Sequence, residues 1–313
     1  MSRDDVEGQG GDTVKLRRVR TADGLQTQHL DGDQWLPHQQ PLGGGGFGEA
    51  WEAAVADRQL EHTDRLLPFQ PLSFRDFLLY EQHNIDASRG LLRRFHPSQF
   101  RVTTVVERVT GRAFPAFRPK PLFYRQPIYY MSNHLTFIPS GTPVRFPAYS
   151  QALDFELELG FVLARPLRDA TPEQAEQAIG AFVLVNDFSA RDVQRAEMAS
   201  GLGPQKAKHF LSSMSATAVT PEEVLPRIDA VTGTVRINGA TVSTVTTAGM
   251  RWSIGQALAH CSRSEQLLPG ELFATGTLPG GSGMETGHWL RPGDTLTLTL
   301  DGIGEVEHAI IAG

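Results

Sequence analysis

The segment Leu153-Asp154-Phe155-Glu156-Leu157-Glu158-Leu159-Gly160 constrains this chain more than any other. Apolar and acidic residues alternate along it with the two-residue period of a β-strand. In that conformation Leu153, Phe155, Leu157 and Leu159 pack on one face, and Asp154, Glu156 and Glu158 stack on the other. Carboxylates a few Å apart repel unless a proton or a cation relieves them. Taken alone, such a strand is most simply an acidic, solvent-facing one.

A second segment shifts that balance. Ala181 to Val185 (AFVLV) is the continuous apolar run of a buried strand, and it ends in Asn186-Asp187-Phe188-Ser189-Ala190-Arg191-Asp192. A carboxylate at a strand end beside a loop is a common place for a site. Hard divalent cations such as Mg²⁺, Mn²⁺ or Ca²⁺ take oxygen ligands of this kind. Ser189 and Asp192 fit a turn or helix N-cap better than Asp187 does. Arg191 and Asp192 are expected to brace the loop behind Asp187 through a charge-assisted hydrogen bond.

Two more segments carry chemistry-bearing residues. In Arg75-Asp76-Phe77-Leu78-Leu79-Tyr80-Glu81-Gln82-His83, a helical conformation would put Asp76 and His83 on one face, seven residues apart. A carboxylate there suits a metal, and an imidazole suits proton transfer near neutral pH, although a lone histidine on a helix is more often structural. In Gly203-Pro204-Gln205-Lys206-Ala207-Lys208-His209-Phe210, a lysine in a Gly/Pro loop is usually solvated, yet it can stabilise a developing anion.

Composition bounds the remaining choices. The chain has 313 residues, 40% hydrophobic and 20% charged, enough for a large core and about two domains. With 29 Lys+Arg against 35 Asp+Glu its net charge is −6, which argues against nucleic acid or anionic lipid as partners. No apolar run is long enough to span a bilayer, and the polar start lacks a signal core. Cys261 is the only cysteine, so no internal disulfide forms, and a cytoplasmic setting is expected. Residues 1–12 read as disordered, and Val14 to Leu36 as a small β unit. Gly43, Gly45 and Gly48 spell G-x-G-x-x-G, a motif that needs a strand before it, but the preceding QWLPHQQP has two prolines and no G-K-[ST] follows, so a linker is the better reading than a nucleotide loop. Helices are expected at 49–64, at 172–180 and around 252–262, within an otherwise strand-rich domain. His134 and His209 read as structural polar groups, and Cys261 as a small buried hydrophobe.

Together RDFLLYEQH (75–83), SGTPVRFP (140–147), DFELELGFVLARP (154–166), NDFSARDVQ (186–194), GPQKAKHF (203–210) and RPGDTLTLTLDGIGEVEH (291–308) resemble the fumarylacetoacetate hydrolase family over about 65–313. The resemblance implies an α+β, mostly β fold: a mixed β-sandwich or rolled-sheet catalytic domain at 66–313 after a small N-terminal domain at 1–65. It implies a divalent metal, Mg²⁺ or alternatively Mn²⁺ or Ca²⁺, on Asp76, Glu156, Glu158 and Asp187. It implies His83 as the base that activates water, Lys208 as the cation near the leaving carbanion, and Glu285 as an orienting partner for His83. Tyr130, Gln194 and Thr277 match substrate contacts. A homodimer is implied as well.

The chain also departs from the family pattern. Leu78 stands where an aromatic contact is expected, Tyr130-Met131-Ser132-Asn133 replaces a Tyr-His-Gly-Arg stretch, and Met198 replaces a tyrosine. These changes make the pocket more apolar and favour a larger or less charged substrate than fumarylacetoacetate. The expected reaction is hydrolysis of a C–C bond in a 1,3-dicarbonyl of fumarylacetoacetate or acylpyruvate type, with the expelled charge held as an enolate beside the metal. The same chemistry serves a lyase or isomerase: a 2-oxo acid decarboxylase, a tautomerase or a tailoring cyclase.

Overall fold

A computed structural model describes residues 15–39, 42 and 48–313. The expected disorder over 1–12 and the first two motif glycines, Gly43 and Gly45, lie outside them. The described residues form one large sheet, one smaller sheet and a two-stranded ribbon, with no closed barrel.

The large sheet runs in the order 34–37, 24–31, 15–21, 217–219, 179–187, 157–163, 271–274, 73–77, 129–132. Its N-terminal strands Lys15–Thr21, Gly24–Asp31 and Gln34–Pro37 turn at Gly24 and Gly32, both at positive φ, as the Asp-Gly signals predict. They extend the same sheet that carries the rest of the chain, through antiparallel pairing of Lys15 with Val219.

At the centre, Leu157–Leu163 and Ile179–Asp187 pair antiparallel and are buried along nearly their whole length. Apolar cover on both faces explains why AFVLV reads as a continuous run rather than an alternation. Gly160 lies in this crossing because a Cβ there would come within 2.5 Å of Val185 and 2.9 Å of Val183. The smaller sheet runs 240–246, 232–237, 295–300, 304–311, 144–145, and packs Val235, Leu296, Leu298 and Val306 into the same core.

The expected strand at 153–160 is broken. Leu153–Asp154 pairs with Ser189–Ala190 as a separate ribbon, and Leu157–Leu163 joins the large sheet. The expected helix over 75–83 is also corrected. Ser73–Phe77 is a strand, parallel to Glu271–Ala274, and a helix begins only at Glu81 and runs to Phe95. A second helix, Pro97–Thr110, follows, which the sequence reading missed. Three expected helices shorten: Glu49–Leu60; Pro172–Gln177, with a Thr171 capping box and proline at its start; and Ile254–Cys261, with a Ser253 capping box. Among the described residues no helix is long and apolar enough to cross a membrane.

Candidate functional site

Four carboxylates converge at one end of the central strands. Asp76 is carried by the strand 73–77, opposite Tyr130 of Tyr129–Ser132. Glu158 lies on 157–163 opposite Val185, and Asp187 closes 179–187. Glu156 sits at the break before Leu157, where it bridges to Ser282 and its carbonyl accepts from the Asp187 amide at 3.1 Å. All four are buried.

Asp76, Glu156 and Glu158 each direct an oxygen to a common point, the three atoms within 4.8 Å of one another. Asp187 is held differently. Its oxygens accept from the Tyr130 hydroxyl at 2.6 Å, the Lys208 ammonium at 2.7 Å and the Ser212 hydroxyl at 3.2 Å. Lys208 also donates to Glu156, and Thr277 donates to Glu158 at 3.3 Å. Thr277 gets there through Gly276, at φ 78°, where a Cβ would come 2.1 Å from the Phe77 carbonyl oxygen.

Charge in this corner is not balanced by the protein. Burial, with Asp187 beside it, pushes the Asp76 carboxyl well above the usual range; burial and Asp76 do the same to Glu158. Asp187 is raised by burial and Glu156 against the pull of Lys208. Glu156 goes the other way: burial opposes its charge, but Arg191 and Lys208 hold it far below the carboxylate range. One oxygen each of Asp76 and Glu158, Oδ1 and Oε2, is buried without a hydrogen-bond partner. Orphaned acceptors of this kind are costly, and a hard divalent cation satisfies them. The donor set therefore fits such an ion.

His83 faces this cluster from the first turn of the helix 81–95. Its Nε2 is 4.0 Å from Glu156, and its Nδ1 is 3.1 Å from Glu285 Oε2, an ion-pair contact not aligned as a hydrogen bond. Burial opposes protonation of the imidazole, but Glu285 and Glu156 raise its pKa overall. Glu285 is fixed in turn. It accepts from the Gly280 amide at 3.0 Å and from the Ser282 amide and hydroxyl at 3.2 and 2.8 Å. Gly90 lets the His83 helix approach this loop closely, since a Cβ there would lie 1.7 Å from the Met284 carbonyl oxygen.

Three residues differ from the sequence reading. Arg191 does not brace Asp187 through Asp192. It points inward, donating at 2.8 Å to Asp154, 2.7 Å to Glu156 and 2.9 Å to Gln194. Asp192 instead takes the Ser150 hydroxyl at 2.6 Å and the Gln151 amide at 2.8 Å, and the N-cap of the helix Arg191–Ala199 is Ala190, not Ser189 or Asp192. Asp154 leaves the acidic face: besides Arg191 it accepts from the amides of Phe155, Gly283 and Met284 at 2.9, 2.8 and 3.0 Å. His209 is structural, its Nε2 3.1 Å from the Met131 carbonyl. Cys261 is buried, and burial pushes its thiol up to about 11.

The family model for the fumarylacetoacetate (FAA) hydrolase C-terminal region matches residues 104–311. The chain belongs to the fumarylacetoacetate hydrolase family. Among its relatives, a mitochondrial oxaloacetate tautomerase of Pongo abelii is 32% identical over 155 residues, 50% of this chain and 70% of that protein. A 2,4-didehydro-3-deoxy-L-rhamnonate hydrolase of Sphingomonas is 30% identical over 163 residues, 51% of this chain and 56% of that protein. The fumarylacetoacetate hydrolase structure from Exiguobacterium antarcticum superposes with a TM-score of 0.66 at 19% identity, covering 96% of this chain and 100% of that one. The expected fold class is thus observed. The family is one of enzymes that use divalent metals, and the buried triad of Asp76, Glu156 and Glu158 is the place where this member can hold one.

Proposed function

We propose that this protein hydrolyses a C–C bond in a small-molecule 1,3-dicarbonyl acid of acylpyruvate or fumarylacetoacetate type, with Mg²⁺ as its metal. The observation that carries the reading is His83, 3.1 Å from Glu285 and lining the same cavity as the acidic triad.

Asp76, Glu156 and Glu158 would hold the cation, with Asp187 beside them. Once bound, the ion would supply Lewis-acid stabilisation to a substrate that presents two oxygens. His83 takes a proton from water as the water oxygen joins the carbonyl carbon being attacked. Glu285 holds the imidazole by Nδ1, which leaves Nε2 to face the reacting water. The C–C bond breaks, its electron pair passes into an enolate, and a proton returns to the departing carbon. Lys208, kept charged by Asp187 and Glu156 although burial opposes it, offers an ammonium to that developing charge. Gln194 is oriented by Arg191, Thr277 by Glu158, and Tyr130 by Asp187, and these three line the cavity as substrate contacts.

A second reading, tautomerisation or decarboxylation of a 2-oxo acid, draws support from the likeness to the oxaloacetate tautomerase. Turnover of acylpyruvates and diketo acids in H₂¹⁸O, with Mg²⁺ or with chelator, separates the two. Hydrolysis puts one ¹⁸O into the released carboxylate and stops in His83→Ala. Product without label, or full turnover by His83→Ala, contradicts it.

A further inference from the structure

The cavity measures about 520 Å³ and falls among pockets that enclose drug-sized ligands. Besides the reacting groups its lining includes Leu78, Ala87, Leu91, Ile128, Met198 and Met284, with Asn84 and Ser88 among them. Two helices lead away from the reacting groups. His83, Ala87 and Leu91 recur every four residues on the helix 81–95 and all face the cavity. The stripe from His83 to Leu91 is about 12 Å long. On the helix 191–199, Gln194 is followed one turn later by Met198, again both on the cavity side. Each helix presents a polar group at the chemistry and an apolar one beyond it.

Of the three cations lining the cavity, two are committed to the acidic cluster and the third is exposed. Arg191 and Lys208 are buried in ion pairs with the acidic cluster. Arg195 lines the cavity only as an exposed residue at its rim, where its charge is screened. Asn84 spends its amide on the Phe117 carbonyl at 2.7 Å. Met198 keeps 53% exposure, an apolar side chain left open at the cavity mouth.

We infer that this site selects 1,3-dicarbonyl acids carrying an apolar alkyl or aryl acyl tail that lies along the Ala87–Leu91 track under Met198. The inference rests on the dicarbonyl reading of the same site and specifies which member of that class it takes. The carboxylate and dicarbonyl end meets the acidic cluster and Lys208, and the tail replaces water against the apolar wall. Leu91 and Met198 set the selectivity.

The test is a series of acylpyruvates from acetyl to octanoyl, with benzoylpyruvate and length-matched ω-carboxy analogues, assayed with Mg²⁺. In parallel, 2-oxo acids of the same tails but lacking the second carbonyl are titrated by calorimetry. KM should fall about three- to fourfold per added methylene until the track is filled. The slope should flatten in Leu91→Asn and in Met198→Gln, the second at an exposed position that does not threaten folding. Equal KM for acetyl and octanoyl substrates, or preference for the ω-carboxylates, overturns the inference while leaving hydrolysis standing. Tail-dependent affinity of the 2-oxo acids without cleavage of any acylpyruvate overturns hydrolysis and leaves the tail selectivity standing.

Discussion

Asp154 and Glu158 lie four residues apart in one acidic segment, and both are fully buried. Their surroundings are opposite. Asp154 accepts from the Arg191 guanidinium and three backbone amides, so the protein itself satisfies its charge. Glu158 receives one long hydrogen bond from Thr277 and has an orphaned second oxygen. Burial pushes both carboxyls up, but Arg191 pulls Asp154 back down while Asp76 pushes Glu158 further up. A buried charge with a full set of donors holds structure together; a buried charge without them holds something the chain does not supply. Asp154 ties the Glu285 loop to the ribbon 153–154, and Glu158, with Asp76 and Glu156, can hold a cation.

Substitutions at the two positions should separate these roles. The largest effect belongs to Asp154→Ala, which leaves Arg191 Nε and three backbone amides without their partner in the interior. Breaking a buried pair in this way costs about 3–5 kcal/mol. Urea unfolding in chelator should show that loss, and a wild-type midpoint would mean that Asp154 is not structural.

Glu158→Gln should do the reverse. In chelator it should be at least as stable as wild type, because it removes one of several repelling carboxyls. Stabilisation by metal, about 2.7 kcal/mol at a hundredfold excess over Kd, should vanish. The pH dependence should change too. In the metal-free wild type the raised carboxyls keep protons that the unfolded chain has lost above about pH 4. Stability contributed by this cluster is therefore present at low pH and lost as pH rises through the raised folded pKa values. Glu158→Gln should make that decline shallower; a steeper one would contradict the assignment.

The same pair of residues shows how far the sequence reading reached. Alternation in Asp154–Leu159 and the apolar run before Asp187 raised a carboxylate site, because two-residue periodicity is a local property of a strand, but it was the family resemblance that joined Asp76, Glu156, Glu158 and Asp187 into one set. The break between Asp154 and Leu157 was not visible. It depends on partners at Ser189, Arg191 and Gly283, far along the chain, and nothing in the local pattern marks it. Arg191 was misassigned for the same reason: its neighbour Asp192 is adjacent in sequence but turned toward Ser150. Asp76 and His83 were considered together on one helix face. The structure instead puts Asp76 on a strand and His83 at a helix start, with both lining one cavity. Gly90, whose missing side chain lets the His83 helix meet the Glu285 loop, gave no signal at all in a single sequence.

The central claim is that the acidic triad exists to hold a divalent ion. Calorimetric titration of Mg²⁺ into chelator-stripped protein, in two buffers of different ionisation enthalpy and across pH, tests it most directly. Binding requires ionised carboxylates, and burial keeps Asp76 and Glu158 protonated above their ordinary range. The account predicts one ion per chain, protons released on binding, and affinity that rises with pH. Absence of binding, or binding that releases no protons and survives in Glu158→Gln, would contradict it.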